Sequence, residues 1–589
     1  MELYHLDAKT IHSAFLTACN AIIINREHLN TINLFPVADG DTGDNMSATA
    51  LSVIRHSSIK ITLNETFQSL ASAALLGARG NSGMIFSQFF NGLTETHLTS
   101  EQLDTKTFAQ LISKASQSVR SAIVHPLEGT IITVIDAWST SINKFAQEVT
   151  CFKTLIKHTL SETDQALQST STMLPILKEA QLVDAGALGF YHFINGFASY
   201  LENPQSLNTQ NILECDHAHH EPATDGLPPK QRYCTEIMLS GESINRLSIA
   251  HQLEQFGDSI VSSGNATLSR FHVHCTEPDK VFESLFNAGQ IVQAKAEDML
   301  RQYEMIHQRK YPIALVTDSS ADLPQSILDE NQIHIIQLNM HLDGHNLIDR
   351  ICISQKTFYD LLASLTTYPK TSFPSPAILQ EKIHHLAKHY EQVLVISISK
   401  ALSGAHDALV NAAKPFSNVH VINSRQTSAG LGLLVHYAAQ LITQGLTVDE
   451  IKNELELKIP KINLFVYVEN CDSLIRSGRV SKLGGRIAQF AHLKPLIKLN
   501  ESGNGVLFDK AFSEIKALSK LVNHVDTLSK DQVLESYGLV HAGNPEKALE
   551  FSQLTSEAFG QPPAFIEYVS SALGLHAGKG AIGIASMMK

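Results

Sequence analysis

The stretch NLFPVADGDTGDNMSATA, residues 33–50, sets Asp39, Asp41 and Asp44 among glycines and then runs into small and apolar residues at helical spacing. Three anions this close repel one another, so either water screens them on a surface turn or a cation sits among them. Both readings fit the stretch taken alone. Mg2+ prefers oxygen ligands in octahedral geometry and takes few carboxylates, which leaves positions for water and phosphate oxygens. A D-G-D turn supplies two such oxygens at close range.

Around this turn, from Thr10 to about Tyr200, apolar residues recur at three- and four-residue intervals, as in IHSAFLTACNAIII, LNETFQSLASAALLGA, TFAQLISKASQSVRSAIV and GALGFYHFINGFASYL. The segment is therefore expected to be helical throughout, with its motifs where helices begin. GARGNSGMIFSQFF, residues 77–90, surrounds Asn81 and Ser82 with Gly77, Gly80 and Gly83. Glycines admit close backbone approach and the amides of a helix start attract phosphate oxygens, although a plain helix–helix turn has the same composition. EGTIITV (128–134) and VDAGALGF (183–190) add two small-residue turns with one carboxylate each.

Together these residues resemble the ATP-binding domain of the dihydroxyacetone kinase family, of the DhaL type, and more closely its relative in the nucleotide-binding subunit of bacterial fatty acid kinase. There the pattern is N-x-[FY]-P-V-x-D-G-D-T-G-x-N-M, then G-A-R-G-N-S-G, E-G-T and D-[AS]-G. The resemblance implies an all-α, antiparallel eight-helix barrel with ATP and two Mg2+ ions at one end. By position, Asp39 and Asp41 ligate metal, and Asn33 stands where relatives carry a further polar ligand. Asn45, Met46, Gly80, Asn81, Ser82, Gly83 and Thr130 line the nucleotide, and Asp184 and Gly186 close over its sugar or base. Asp44 departs from the pattern, as an outer ligand or a solvated residue.

Between Glu202 and Gln231 the chain turns polar and loses periodicity, which reads as a linker, and its His-rich CDHAHHE run at 215–221 is read as solvated. Short β-like runs (YCTEIML, DSIVSS, SRFHVHC) and helical ones (RLSIAHQLEQF, KVFESLFNAG) then argue for a small α+β domain. Strand alternation puts His272 and His274 on one face. With Cys234 they form either a zinc-type donor set or ordinary packing residues. The segment resembles the middle domain of the nucleotide-binding subunit of fatty acid kinase, with its Y-C-T-E, G-D-S and H-V-H-T signatures. That resemblance implies a metal site, or contact with the transferred group, through Cys234, His272 and His274. Cys275 replaces the usual threonine.

From Tyr311 strands rich in β-branched residues (IALVTDSS, IHIIQLNM, QVLVISIS, VHVINSR, NLFVYVEN) alternate with helices, the mark of α/β layering. LVTDSSADLP (315–324), KTSFPSP (370–376), SISKALSGAHDA (397–408) and GLHAGKGAIGI (574–584) are polar loops beside apolar runs. Each is either a strand end or a site whose hydroxyls and amides hold a carboxylate. As an ordered set they resemble the DegV family of fatty-acid-binding proteins, which implies two α/β lobes around an acyl chain. By position, Thr371, Ser403 and His576 bind the carboxylate, with Ser372 and Gly404 close by. Arg479 falls where the family carries the arginine linked to phosphoryl transfer, and Arg486 competes with it. Lys579 stands where proline is frequent, either adding charge at the head group or facing water.

The whole chain sets limits on these readings. Its 589 residues exceed a single core, and 43% apolar content supports packed domains. A formal net charge of −13 argues against a general nucleic-acid binder. Seven irregularly spaced cysteines with no cleavable signal argue for a reduced, cytoplasmic protein, and no apolar run reaches the roughly 18 residues of a membrane helix. The expected division is 1–203 (DhaL-like, ATP and Mg2+), 204–231 (linker), 232–308 (α+β middle domain, with Zn2+ or without) and 309–589 (two-lobed, DegV-like, fatty acid).

The function expected from the set is a single-chain fatty acid kinase in which Asp39, Asp41 and Arg479 are catalytic. Its fusion raises effective concentration, and transfer in trans within a homodimer follows if the two sites do not meet in one extended chain. Its product goes to an acyltransferase at the membrane surface. Two alternatives stay open at this point: a nucleotide- and lipid-binding regulatory protein without turnover, and a kinase of a hydroxyketone-type small molecule.

Overall fold

A computed structural model describes residues 2–35, 40–204, 228–469, 472–477 and 494–589. Asp39, Arg479, Arg486 and the His-rich run at 215–221 lie outside the described residues. The chain is multidomain and forms two compact units: Met1–Glu277 with Asn287–Met299, and Pro278–Phe286 with Leu300–Lys589.

The N-terminal part of the first unit is all helical. Its elements are α1 (Ala8–Ile24), α2 (Arg26–Thr31), α3 (Thr42–His56), α4 (Leu63–Gly77), α5 (Gly80–Gly92), α6 (Thr105–Ala122), α7 (Ile131–Phe145), α8 (Phe152–Met173), α9 (Pro175–Ala180) and α10 (Ala185–Glu202). Local chemistry starts and stops them: Asp7 and Asp104 cap α1 and α6, and Thr62 with Glu65 forms a capping box on α4. Pro175 opens α9, which ends on a left-handed Gln181. Eight of the ten exceed twelve residues, whereas α2 and α9 have six each.

The eight long helices close a ring. Each of α1, α3, α4, α5, α6, α7, α8 and α10 packs on the next, and α10 returns to α1. Its interior is aromatic, with Phe15, Phe86, Phe89, Phe90 and Phe193 at edge-to-face or stacked distances and Trp138 fully buried. Burying each such ring contributes roughly 1.5–3 kcal/mol, with about 0.5–1.5 more for a well-oriented aromatic pair.

The middle part is a four-stranded antiparallel sheet of order β2-β3-β1-β4, built from β1 (Tyr233–Ser240), β2 (Gly257–Gly264), β3 (Leu268–Cys275) and β4 (Gln290–Asp298), with helix α11 (Arg246–Leu253). It docks on the helical ring through polar contacts. The Gly264 amide donates to Gln88 Oε1 at 2.8 Å, Ser263 Oγ to Ser87 Oγ at 3.0 Å, and Ser262 Oγ to the Ala122 carbonyl at 3.2 Å. The helix Pro278–Leu285 belongs to the second unit, where Glu283 accepts from the Ser354 amide.

The second unit has two lobes. A parallel sheet, order β11-β10-β5-β6, comprises β5 (Ile313–Asp318), β6 (His334–Ile336), β10 (Gln392–Ser397) and β11 (Val419–Asn423). A six-stranded sheet, order β14-β13-β12-β17-β15-β16, comprises β12 (Ile462–Tyr467), β13 (Lys494–Leu499), β14 (Gly505–Ala511), β15 (Leu534–His541), β16 (Phe565–Tyr568) and β17 (Ile582–Met588). A small antiparallel sheet pairs β7 (Asn339–Leu342) with β8 (His345–Ile348) and β9 (Lys370–Ser372). The helix Ser428–Thr443 packs on strands of both larger sheets, so Leu431, Leu434, Val435 and Ala438 share one core with Leu315, Leu394, Leu464, Val540 and Ala585. Among the described residues no helix is long and apolar enough to cross a membrane.

Candidate functional site

The four N-terminal motifs occupy the starts of α3, α5, α7 and α10, which are alternate members of the helical ring. Alternation brings their N-termini to one rim. Asp41 is the residue before α3, Gly80 the first of α5, Thr130 the residue before α7 and Asp184 the residue before α10. Contacts join them in turn. Thr42 Oγ1 donates to Asn33 Oδ1 at 2.7 Å and lies 3.3 Å from Ser82 Oγ, which ties α3 to α5. Gly189 of α10 lies so close to Met46 of α3 that an added Cβ falls 2.6 Å from its sulfur. Asp184 accepts from the amides of Ala187 and Gly186 in α10 and of Ile131 in α7.

Four helix starts on one rim concentrate unsatisfied amides and the positive ends of four dipoles, which favours an anion such as a phosphate chain. The residues fit that group on a further observation: Asn81 Oδ1 is buried without a hydrogen-bond partner among the described residues. Gly80 and Gly83 are small because α3 leaves no space. A Cβ at Gly83 would meet the Asn45 carbonyl at 2.7 Å, and one at Gly80, where φ is +55°, would collide with the Asn45 side-chain amide. Burial pushes the Asp184 carboxyl up to about 7 against the three amides that hold it. Thr130 Oγ1 turns back to the Leu127 carbonyl at 2.8 Å. Asp44 is pinned to α2: Arg26 lies 3.4 Å from it, Asn30 Nδ2 donates to it at 3.1 Å, and its amide donates to Asn30 Oδ1.

The middle sheet presents a second cluster. Cys234 is opposite His274 and Glu236 opposite His272 in the β1–β3 register, so all four share a face, with Glu297 and Lys295 of β4 beside them. The ligand atoms of Cys234, His272 and His274 lie within 4.8 Å of one another. One sulfur and two ring nitrogens suit Zn2+, and His272 Nε2 is buried with no hydrogen-bond partner among the described residues. Burial, then His272, holds the His274 imidazole down to about 3. Burial followed by the charges of Glu236 and Glu297 pushes the Cys234 thiol well up, and Asp41 of the rim adds to it. Cys275 alternates to the opposite face, where its sulfur lies 3.3 Å from Thr235 Oγ1.

Glu236 is a site residue that sequence reasoning missed. Its Oε1 accepts from the Gly80 amide at 2.8 Å, a contact 156 residues apart in sequence. Burial raises its carboxyl, but His272, Lys295 and Arg270 overcome that and hold it well below the usual carboxylate range. The one available signal was that Glu236 shares the Y-C-T-E turn with Cys234.

In the second unit, Thr371 lies in β9 opposite Met340, and Ser372, exposed, ends that strand. Ser403 Oγ accepts from the Ala405 amide at 3.2 Å, and Gly404 precedes the helix Ala405–Ala413 with open space where a Cβ would point. His576 sits half-buried in the last turn of the helix Ser571–Ala577. Lys579 pairs with Asp360 at 3.0 Å. The acids of the LVTDSSADLP turn are fully buried and clamp the fold. Asp318 accepts from the Ile398 amide at 2.8 Å, and Asp322 accepts from the Ser570 amide at 2.9 Å and from Ser428 Oγ at 2.6 Å.

Comparison with known proteins divides the chain the same way. Residues 36–199 match the DAK2 domain, residues 230–306 the middle domain of FakA-like fatty acid kinase proteins, and residues 312–589 the DegV family, whose description is an uncharacterised protein. Protein YloV of Bacillus subtilis is 28% identical over 319 residues, covering 52% of this chain and 58% of that protein. An uncharacterized protein of Staphylococcus saprophyticus is 29% identical over 324 residues, covering 52% and 57%. The matches thus span little more than half the length of these curated relatives. Among solved structures, DegV, a fatty acid binding protein from Bacillus subtilis, is 26% identical with a TM-score of 0.44, over 48% of this chain and 100% of that one. A fatty acid binding DegV family protein from Streptococcus agalactiae is 28% identical with a TM-score of 0.44, over 47% and 99%.

Proposed function

We propose that this chain, which carries a DAK2 domain, a FakA-like middle domain and a DegV domain in that order, is a fatty acid kinase in one polypeptide. The order of the three domains is the observation that carries the reading. In it, residues 1–203 hold Mg2+ and ATP, residues 204–231 link, residues 232–308 form the middle domain with a Zn2+ set at Cys234, His272 and His274, and residues 309–589 carry the acyl chain.

The carboxylate of a fatty acid held by Thr371, Ser403 and His576 attacks the γ-phosphorus of ATP. The bond from that phosphorus to the bridging oxygen breaks, and ADP leaves as an acyl phosphate forms. Asp41 with Asp39 holds the metal, Asn81 and Ser82 orient the phosphates, and Asp184 faces the sugar or base. Mg2+ supplies neutralisation of the phosphate charge when bound. Arg479 offsets charge as it redistributes between acceptor and leaving group. Catalysis is then positioning and electrostatic stabilisation, with no covalent enzyme intermediate.

Support for the nucleotide end comes from the rim of four helix starts and the buried Asn81 oxygen. The reading extends to a homodimer, to a cytoplasmic setting and to an acyltransferase at the membrane surface as the consumer of the product. Its test is Mg2+-dependent ATP consumption with a panel of fatty acids, the acyl phosphate being trapped by hydroxylamine. ATP binding without acyl hydroxamate at any chain length overturns it.

A further inference from the structure

The turn between α4 and α5 is held from both sides by the middle sheet. Arg270, 3% exposed, donates to the Ala78 carbonyl, and the Gly80 amide donates to Glu236, 5% exposed. The two holding residues also face each other, with Arg270 Nη1 3.7 Å from Glu236 Oε2. Between the clamped groups the backbone passes through the left-handed φ of +55° at Gly80, a conformation that a free glycine turn does not keep by itself. Directly after it stand Asn81 and Ser82. Their amides belong to the helix start, which has no intrahelical acceptors, and the Asn81 side-chain oxygen is buried and unsatisfied among the described residues.

We infer that Glu236 is a positioning residue of the nucleotide site: its carboxylate oxygen fixes the Gly80 amide and so sets the orientation in which Asn81 and Ser82 meet the phosphates. This rests on the nucleotide reading of the rim. The acceptor is what the position requires, because the alternative is a buried amide left without a partner. The middle domain is therefore one wall of the nucleotide site, joined to the ring by this clamp and by the docking contacts of Gly264, Ser263 and Ser262.

The experiment measures Mg2+-ATP binding by calorimetry and backbone hydrogen exchange across residues 78–83, in the full chain. Glu236→Ala should weaken nucleotide binding by about tenfold, roughly 1.4 kcal/mol, and speed exchange of the turn in the nucleotide-free protein. Glu236→Gln keeps an acceptor oxygen and should restore both to near wild type. If Glu236→Ala does not fold, Glu236→Asp, one methylene shorter, carries the same two expectations. Unchanged affinity in the Ala or Asp variant, or a Gln variant as impaired as Ala, overturns the inference. Wild-type protein that binds no nucleotide overturns the reading of the rim instead, and the exchange rates then judge the clamp by themselves.

Discussion

Two aspartate-rich turns, 39–44 leading into α3 and 318–322 at the end of β5, carry carboxylates at similar density in quite different surroundings. Asp318 and Asp322 are fully buried and accept from amides and hydroxyls of distant segments, as does Asp349, which takes Ser319 Oγ at 2.8 Å and the Ala572 amide at 3.2 Å. Asp41 is half-buried at a rim where four helix starts meet. A carboxylate enclosed by protein donors ties chain segments together. One at a solvent-reached rim of amides is in position for a cation and a phosphate chain. Burial and partners separate the two uses, and neither is visible in a run of aspartates.

The sharpest way to break this comparison is Asp41→Ala. Loss of a metal-holding carboxylate should lower acyl phosphate formation by roughly 100-fold or more, with fatty acid retention unchanged. Turnover that survives the change, measured by hydroxylamine trapping, removes Asp41 from the site.

Asp322→Ala should act in the opposite manner. It leaves the Ser570 amide and Ser428 Oγ without their acceptor inside the second unit, at a cost of about 1–3 kcal/mol for each buried group left unsatisfied. That is a fall in melting temperature of about 2–4 °C per kcal/mol. The same residue has a pH signature. Burial raises Asp322 to about 7 and Asp349 to about 6, with Arg350 opposing in both cases. Folding therefore favours their protonated forms. The contribution is complete below about pH 4, where unfolded aspartates titrate, and is lost as the pH rises through about 6 and about 7. Asp322→Asn cannot ionise, so its melting temperature relative to wild type should improve between about pH 5.5 and about pH 8. A constant difference across that range contradicts the buried-acid assignment.

Much of the architecture was legible in the sequence because periodicity reports directly on which face of an element is buried. The helical ring, β1 to β3 of the middle sheet and the α/β alternation after Tyr311 all carry clear patterns. β4 was missed because QIVQAKAED is an edge strand, paired only with β1 and mostly half-buried, so it has no apolar alternation. α2 and α9 are too short, at six residues, to show a period. The rim motifs were legible as motifs, but the bond from Glu236 to Gly80 was not, since no local pattern encodes a partner 156 residues away. LVTDSSADLP was read only as a polar turn, because hydroxyls and carboxylates look solvent-facing until the second lobe is seen to cover them.

A smaller effect is expected at the carboxylate-binding loops. Ser403→Ala and Thr371→Ala each remove one hydroxyl, worth about 1 kcal/mol, so fatty acid retention should weaken by several-fold in each and ATP binding should hold. Retention unaffected in both variants moves the head group away from these loops.

The smallest effect should come from Asp44, the aspartate that departs from the kinase pattern. Its carboxylate lies 3.4 Å from Arg26 and takes Asn30 Nδ2, with both members of the ion pair partly exposed at 19% and 18%. A pair of that kind contributes about 0–1 kcal/mol, and Asp44→Asn preserves an acceptor for Asn30. The variant should melt within a few degrees of wild type and keep its Mg2+ dependence. A loss of activity comparable with Asp41→Ala, at unchanged melting temperature and relieved by raised Mg2+, would instead make Asp44 an outer ligand. The α2 contact would then be what holds that ligand in line with the rim.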